Sequence, residues 1–482
     1  MKQLSARIEI LDRADLDQIH QATLDVLAST GCRMSHSRVL DLMRGAGAHV
    51  DPVARIVRFP EAVIQKAVEW NATRQKDAST IPLPVRSGRF MIYPASQANM
   101  VDYQATARRQ GTTEDVLKGI VLCNELPFIG SVSSVVAPAD IPAVLSDLHG
   151  HYLCMLYSRK PFGTYVLSPE SARQIIRMWE IVQDEPARSK DKAHINYLLE
   201  PNGALSYEVF SLEMALLFAQ AGYGITLAPM AMAGMDAPIT LAGTLVMQNA
   251  YNLAALVLCW LLGVKANWGG SAHTLDMRHL LCSFGSPNQA ILAVAATQLG
   301  HYYGFEVAVN SALTDACVPD FQGGFEKGST AAVALLAGAE GLGVQGIVGA
   351  DQGFSLEQLV IDNEWASAMN HFLTLGCEVS AETLAVEVIK KVGIGGSFIS
   401  EEHTVRHMRE TYWQATIFNQ RSWDSWNQDG AKGAYQRAHE RVQKILAAHY
   451  PPHPVLSQPV VNELDDLMAR AKAHPEAFEL KH

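Results

Sequence analysis

Between Phe90 and Leu375 the polar and apolar positions repeat one phrase eight times: a short apolar, strand-like run, then a longer amphipathic, helix-like run. The strand-like runs are Phe90–Pro94, Phe128–Ala137, Phe162–Leu167, His194–Leu199, Gly224–Met230, Val264–Trp268, Glu306–Ser311 and Gly343–Gly349. Their starts lie roughly 30–40 residues apart, the length of a strand–helix unit. Eight such units predict an α/β fold of the (β/α)8 TIM-barrel type, in which functional groups stand at the C-terminal ends of the strands. The runs are short and almost wholly apolar, as parallel strands covered on both faces should be.

The flanks read differently. DQIHQATLDVLASTG has helical apolar spacing with Gly31 as its stop, and SHSRVLDLMRGAGA makes a second helix. HVDPVARIVRFP resembles a hairpin, and FPEAVIQKAVEWN a third helix. Residues 1–84 are therefore expected to form an N-terminal α-rich layer and residues 85–376 the barrel, with 377–482 as a C-terminal helical extension. Within the barrel, SPESARQIIRMWEIVQ carries a Ser-x-x-Ser start, and LAGTLVMQNAYNLAALVLCWLLG is apolar around most of its circumference, the mark of a deeply buried helix. SLEQLVIDNEWASAMNHFL ends on Gly376. The extension reads as helices over SAETLAVEVIKKVG, HTVRHMRETYWQATIF, DGAKGAYQRAHERVQKIL and VVNELDDLMARAKAH, the last two joined by a Pro-rich linker.

Composition narrows the partners. The 482 residues carry a formal charge of −11, which argues against nucleic acid or an anionic membrane. Seven scattered cysteines (Cys32, Cys123, Cys154, Cys259, Cys282, Cys317 and Cys377) contain no C-x-x-C pair, so reduced thiols in the cytoplasm are expected. The charged start MKQLSARIEILDRADLD has no signal-like apolar core. The near-apolar stretch Leu253–Val264 falls short of the ~20 residues that span a bilayer.

Three motifs invite sharper readings and lose to plainer ones. Gly341-Leu-Gly-Val-Gln-Gly346 matches G-x-G-x-x-G, but a helical run precedes it and a strand-like run fills its second half, so a tight turn into strand eight is expected. His149-Gly-His151 would be a metal pair on a strand, yet SDLHGHYLCMLYS reads as a helix, where i and i+2 do not share a face. His403 and His407 are spaced i, i+4 and could chelate zinc, but no third ligand is evident, so polar packing is preferred. Barrel logic supplies another set: Tyr93, Ser134, Glu200, Asn202, Met230, Trp268, Asn310, Asp315, Asp351 and Gln352 stand at or just past strand ends, with Phe321, Phe354 and Trp365 able to approach the mouth. Each aromatic alone is more often core. Aromatics with a few carboxylates at a barrel mouth suit a quaternary ammonium ligand.

Several stretches, in order, resemble the trimethylamine methyltransferase family. They include LDVLASTGCRMSHSRVLDLMRGAGAHVD, VDYQATARRQGTTEDVLKGIVLCNELPFI and APMAMAGMDAPITLAGTLVMQNAYNLAALVL. The more distinctive are ALTDACVPDFQGGFEKGSTAAVALLAGAEGL, FSLEQLVIDNEWA, GIGGSFISEEHTVRHMRETYWQATIFNQRSWDSW and AKGAYQRAHERVQKIL. The resemblance implies a barrel that passes a methyl group from a methylated amine to Co(I) of a separate corrinoid protein. Trimethylamine-specific members carry pyrrolysine, and this sequence shows none; GGSFISEEHT also departs from relatives that keep a histidine soon after the paired glycines. A quaternary ammonium already leaves as a neutral tertiary amine, so a glycine betaine-like donor is favoured.

On that reading Asp315, Glu326 and Asp351 supply the attraction for the cation, while Tyr93, Trp268, Phe321 and Phe354 form its aromatic wall. Gln322 is placed with them, and His273, Asn310, His403 and Arg406 are the candidate donors to a betaine carboxylate. The chain's main contribution should be aiming a methyl carbon at cobalt, because over-strong cation binding would favour the ground state. No metal and no tightly bound cofactor is expected, the corrinoid being carried by the partner, and a homo-oligomer is expected. The rival readings are a metal-dependent hydrolase on the same fold and a non-catalytic binder of quaternary amines.

Overall fold

The computed structural model describes residues 8–78, 90–163, 165–188, 195–375 and 377–480. Six parallel strands form its centre: β1 (Met91–Pro94), β2 (Asn196–Leu199), β3 (Gly224–Leu227), β4 (Ala266–Gly269), β5 (Val307–Asn310) and β6 (Gly341–Gln345). They pair in the order β1-β6-β5-β4-β3-β2. Two single parallel bridges, Ile92 to Ile129 and Val132 to Phe162, continue the sheet beyond β1. The eight segments thus follow one another around a curled sheet in chain order, with no pairing between the Phe162 segment and β2 among the described residues.

The second and third expected strands therefore appear as bridges and not as ladders. Pro161 has no N–H to donate, and the contact there reduces to Val132 N donating to Pro161 O and Gly163 N to Val132 O. Ser133 and Ser134 turn their hydroxyls onto the carbonyls of Ala95 and Val136, which holds that stretch in an irregular course. His194 and Gly376 lie outside the described residues. The eighth strand also shifts. Gly341–Gln345 pairs, Gly346 turns the chain at φ +86°, and Ile347–Val348 folds back antiparallel to Gly353–Phe354. The G-x-G-x-x-G run is thus a strand and its exit turn.

The flanking layers follow the helical patterns. Helices Arg13–Ser29, Ser37–Gly45 and Glu61–Ala78 pack on the helix Leu241–Leu262, with the predicted hairpin paired over His49–Asp51 and Ile56–Arg58. Gly31 has φ +78°, and a Cβ there would sit 2.3 Å from the Val57 carbonyl oxygen, so the first helix must end on glycine. Leu241–Leu262 is long and apolar enough to cross a membrane, yet 78% of its most apolar stretch is buried inside the protein, as a core helix.

The C-terminal extension has two textures. Helices Ala434–His449 and Gln458–Ala473 bury Val442, Ile445, Leu464 and Leu467 against the helices that flank the sheet. Helices Ala381–Leu384, Val386–Val392 and Glu402–Thr411 bury no residue.

Candidate functional site

The curled sheet encloses a cavity of about 2140 Å³ that runs from Lys265, Glu306 and Glu340 at the strand starts to Glu200, Asn310 and Asp351 at their ends. Period two decides what faces it. Along β4, Ala266 and Trp268 are buried while Asn267 and Gly269 are partly open. Asn196, Thr226 and Asn267 form a polar belt on the inner wall: Thr226 Oγ1 donates to Asn196 Oδ1 at 2.6 Å, and Asn267 Nδ2 to Thr226 Oγ1 at 3.3 Å. Glycine keeps the opposite wall open. A Cβ on Gly341 would lie 2.8 Å from Tyr93 Cε2, and one on Gly343 would lie 3.1 Å from Asn310 Oδ1.

Two carboxylates stand at the mouth on opposite walls. Glu200 directly follows β2, and among the described residues no side chain pairs with it; enclosure by the cavity walls raises its pKa. Asp351 sits in the turn after β6, at φ +66° next to Ala350 at φ +53°. Burial raises Asp351 too, while the one hydrogen bond it accepts, from Gln97 Nε2, opposes that shift. Two successive non-glycine residues in the left-handed region mark a turn that its surroundings hold against local preference, which aims Asp351 at the cavity.

Of the residues singled out from the sequence, Tyr93, Glu200, Asn202, Met230, Trp268, Asn310 and Asp351 line this cavity. Tyr93 is pushed up by burial and by the nearby Glu306. Trp268 borders the cavity, but its ring is 4% exposed and packs on Tyr303 and Phe305, at centroid distances of 5.3 and 4.9 Å. Phe354 is fully buried in its hairpin, against Gly346. Phe321 lies at the opposite extreme, 87% exposed on the helix Phe321–Ala337.

Asp315 and Glu326 lie beside the cavity wall and stitch loops. Asp315 accepts from Phe284 N and Ser283 Oγ, while Glu326 accepts from Thr314 Oγ1, Asp315 N and Gln322 Nε2. Burial and the neighbouring Glu326 raise Asp315. His273 is fully buried, with Nδ1 on Gln289 Oε1 and its ring edge on Phe284, and burial lowers it to about 4. His403 and Arg406 lie on the outlying helix Glu402–Thr411: the His403 and His407 rings are 4.5 Å apart, and Arg406 pairs with Glu382 and Glu402. His149 and His151 sit on the helix Ser146–Tyr157, where burial lowers both to about 4. Among the described residues no three His, Cys, Asp or Glu side chains are grouped to hold a metal.

Glu200 is named from its strand end without a role, and the Asn196–Thr226–Asn267 belt is missed. Their signal was present: polar residues at one parity of otherwise apolar strands must face something polar or open. Gln97 carried no signal, since only the fold brings it to Asp351.

This arrangement can enclose a small organic cation in an open, partly polar hollow. The description "Trimethylamine methyltransferase (MTTB)" matches residues 1–475. The chain belongs to the trimethylamine methyltransferase family. It is 30% identical over 454 residues to trimethylamine methyltransferase MttB of Methanosarcina barkeri, with 90% of each chain covered. It is 28% identical to trimethylamine methyltransferase MttB of Desulfitobacterium hafniense, covering 92% of this chain and 90% of that one. It is also 28% identical to a glycine betaine methyltransferase of Desulfitobacterium hafniense, covering 94% of this chain and 95% of that one. Among solved structures it is similar to the Methanosarcina barkeri monomethylamine methyltransferase MtmB, at 11% identity and a TM-score of 0.46, over 96% of this chain and 89% of that one.

Proposed function

We propose that this chain transfers a methyl group from a quaternary amine bearing the trimethylammonium head of glycine betaine to Co(I) of a partner's corrinoid. The observation that carries the reading is a family member's central cavity with two carboxylates at its mouth, Glu200 and Asp351, that face open space and have no cationic partner among the described residues. The C–N bond breaks as the cobalt–carbon bond forms; both electrons of the broken bond stay on nitrogen, and a neutral tertiary amine leaves. Because the head's charge fades along that path, the carboxylates hold the donor and the walls around Tyr93 and Asn310 orient one methyl outward. The corrinoid stays with its carrier and meets the donor at the strand-end mouth.

The same reading takes the sheet as a closed (β/α)8 barrel, supported by the unbroken chain order of its segments. It also takes the chain as a cytoplasmic homo-oligomer. Free cysteines fit a reducing compartment, and the uncovered Val379, Ile394, Ile399, Val405 and Met408 fit a second copy. The chemistry is tested by mixing the protein with Co(I) cobalamin and a panel of methylated amines while methylcobalamin is followed by absorbance. Quaternary amines should react and trimethylamine should not; turnover with trimethylamine alone would overturn the proposal.

A further inference from the structure

The reading above names the head of the donor and leaves open what the head carries. Among the described residues the cavity wall carries five carboxylates (Glu200, Glu208, Glu306, Glu340 and Asp351) against one ammonium, Lys265, and no arginine. The charges are also sorted along the cavity. Lys265 directly precedes β4, at the strand starts, where it faces Glu306. Glu340 is held at that same end by His301 Nε2 at 3.1 Å and by Val307 N at 2.7 Å. Among the described residues, Glu200 and Asp351 at the mouth are balanced by no cation, and only the Gln97 amide donates to Asp351. Arg108 turns its guanidinium to the Gln352 carbonyl and is not among the residues of the cavity wall.

A trimethylammonium head seated between Glu200 and Asp351 therefore places any short substituent among carboxylates and neutral amides. A carboxylate tail one or two carbons away meets like charge and no cation, and like-charge contacts in a partly desolvated site are strongly unfavourable. A hydroxyl tail can donate to the wall carboxylates or to the Asn310 side-chain oxygen on the inner wall.

Resting on the methyl-transfer reading, we infer that the donor is a quaternary amine with an uncharged substituent, of the hydroxyalkyl-trimethylammonium kind, and not a short betaine.

The test titrates the full-length protein by calorimetry with choline, with glycine betaine and with the neutral isostere 3,3-dimethyl-1-butanol, and runs methyl transfer to Co(I) cobalamin beside it. Choline should bind at least about tenfold more tightly than either of the others, each factor of ten being about 1.4 kcal/mol. Glu200→Gln and Asp351→Asn should each weaken choline by about tenfold and narrow its lead over the neutral isostere. Asparagine tolerates the left-handed turn at 351, and Glu200 has no side-chain partner among the described residues, so both variants should fold. Glycine betaine binding as tightly as choline overturns the inference and leaves methyl transfer standing. Tight choline binding with no methyl transfer from any amine overturns the chemistry and, with it, the choice of donor, while the preference of the cavity for an uncharged tail stands. Unchanged choline affinity in both variants, or no binding of either cation, overturns the inference.

Discussion

Two carboxylates taken out of bulk water in this protein have opposite surroundings. Asp362, behind β6, is fully buried and accepts from Lys327 Nζ, Gly346 N, Gln358 Nε2 and Trp365 Nε1. Lys327 is completed by the Ala312 carbonyl and Gln345 Oε1. Glu200, across the sheet, has no such partner among the described residues and faces the cavity. Burying an ion pair is costly, and it holds only when every remaining hydrogen-bonding capacity is met. Asp362 meets that condition and fixes the turn at Gly346 from which Asp351 follows. Glu200 does not, and an acid held short of partners at a cavity mouth is poised for a ligand that brings the missing charge.

The contrast makes its largest claim about Lys327. Lys327→Met should strand the Asp362 charge and cost about 3–5 kcal/mol in urea unfolding. A loss near zero would mean that Asp362 is not the anchor described. Next comes the inner wall. Gly341→Ala drives a methyl into Tyr93 and should cost about 1–3 kcal/mol, with weaker donor binding. If binding strengthens, the open wall is not where the donor sits. Glu200→Gln should leave unfolding stability unchanged within about 0.5 kcal/mol while weakening cation binding, the reverse of the Lys327 pattern. A stability loss with intact binding would erase the comparison. Smallest of all, Phe321→Ala should change stability by less than about 0.5 kcal/mol and leave the donor's affinity as it was.

The legible part of the fold was its repeating phrase. Runs such as Gly224–Leu227 and Val307–Asn310 are apolar enough to be seen as strands buried on both faces. The stretch 128–137 misleads because its serines use the backbone as partners, and Phe162 because Pro161 cannot extend a ladder. For the site, strand ends point to Asp351, Asn310 and Tyr93, which line the cavity, and equally to Trp268, whose ring the phase of its strand buries. In ANWGG the inward parity belongs to Asn267, and the large ring serves the outer layer against Tyr303 and Phe305. Phe354 was out of reach because a turn at Gly346 that no periodicity announces folds it inward. His403 and Arg406 were placed near the mouth by chain order alone, and the fold puts them on an outlying helix.

The most direct test of the account is a crystal structure of the protein with choline bound. The trimethylammonium head is predicted between Glu200 and Asp351, with one methyl directed out of the strand-end mouth. A head found at the Lys265 end of the cavity, or outside the cavity, would contradict it.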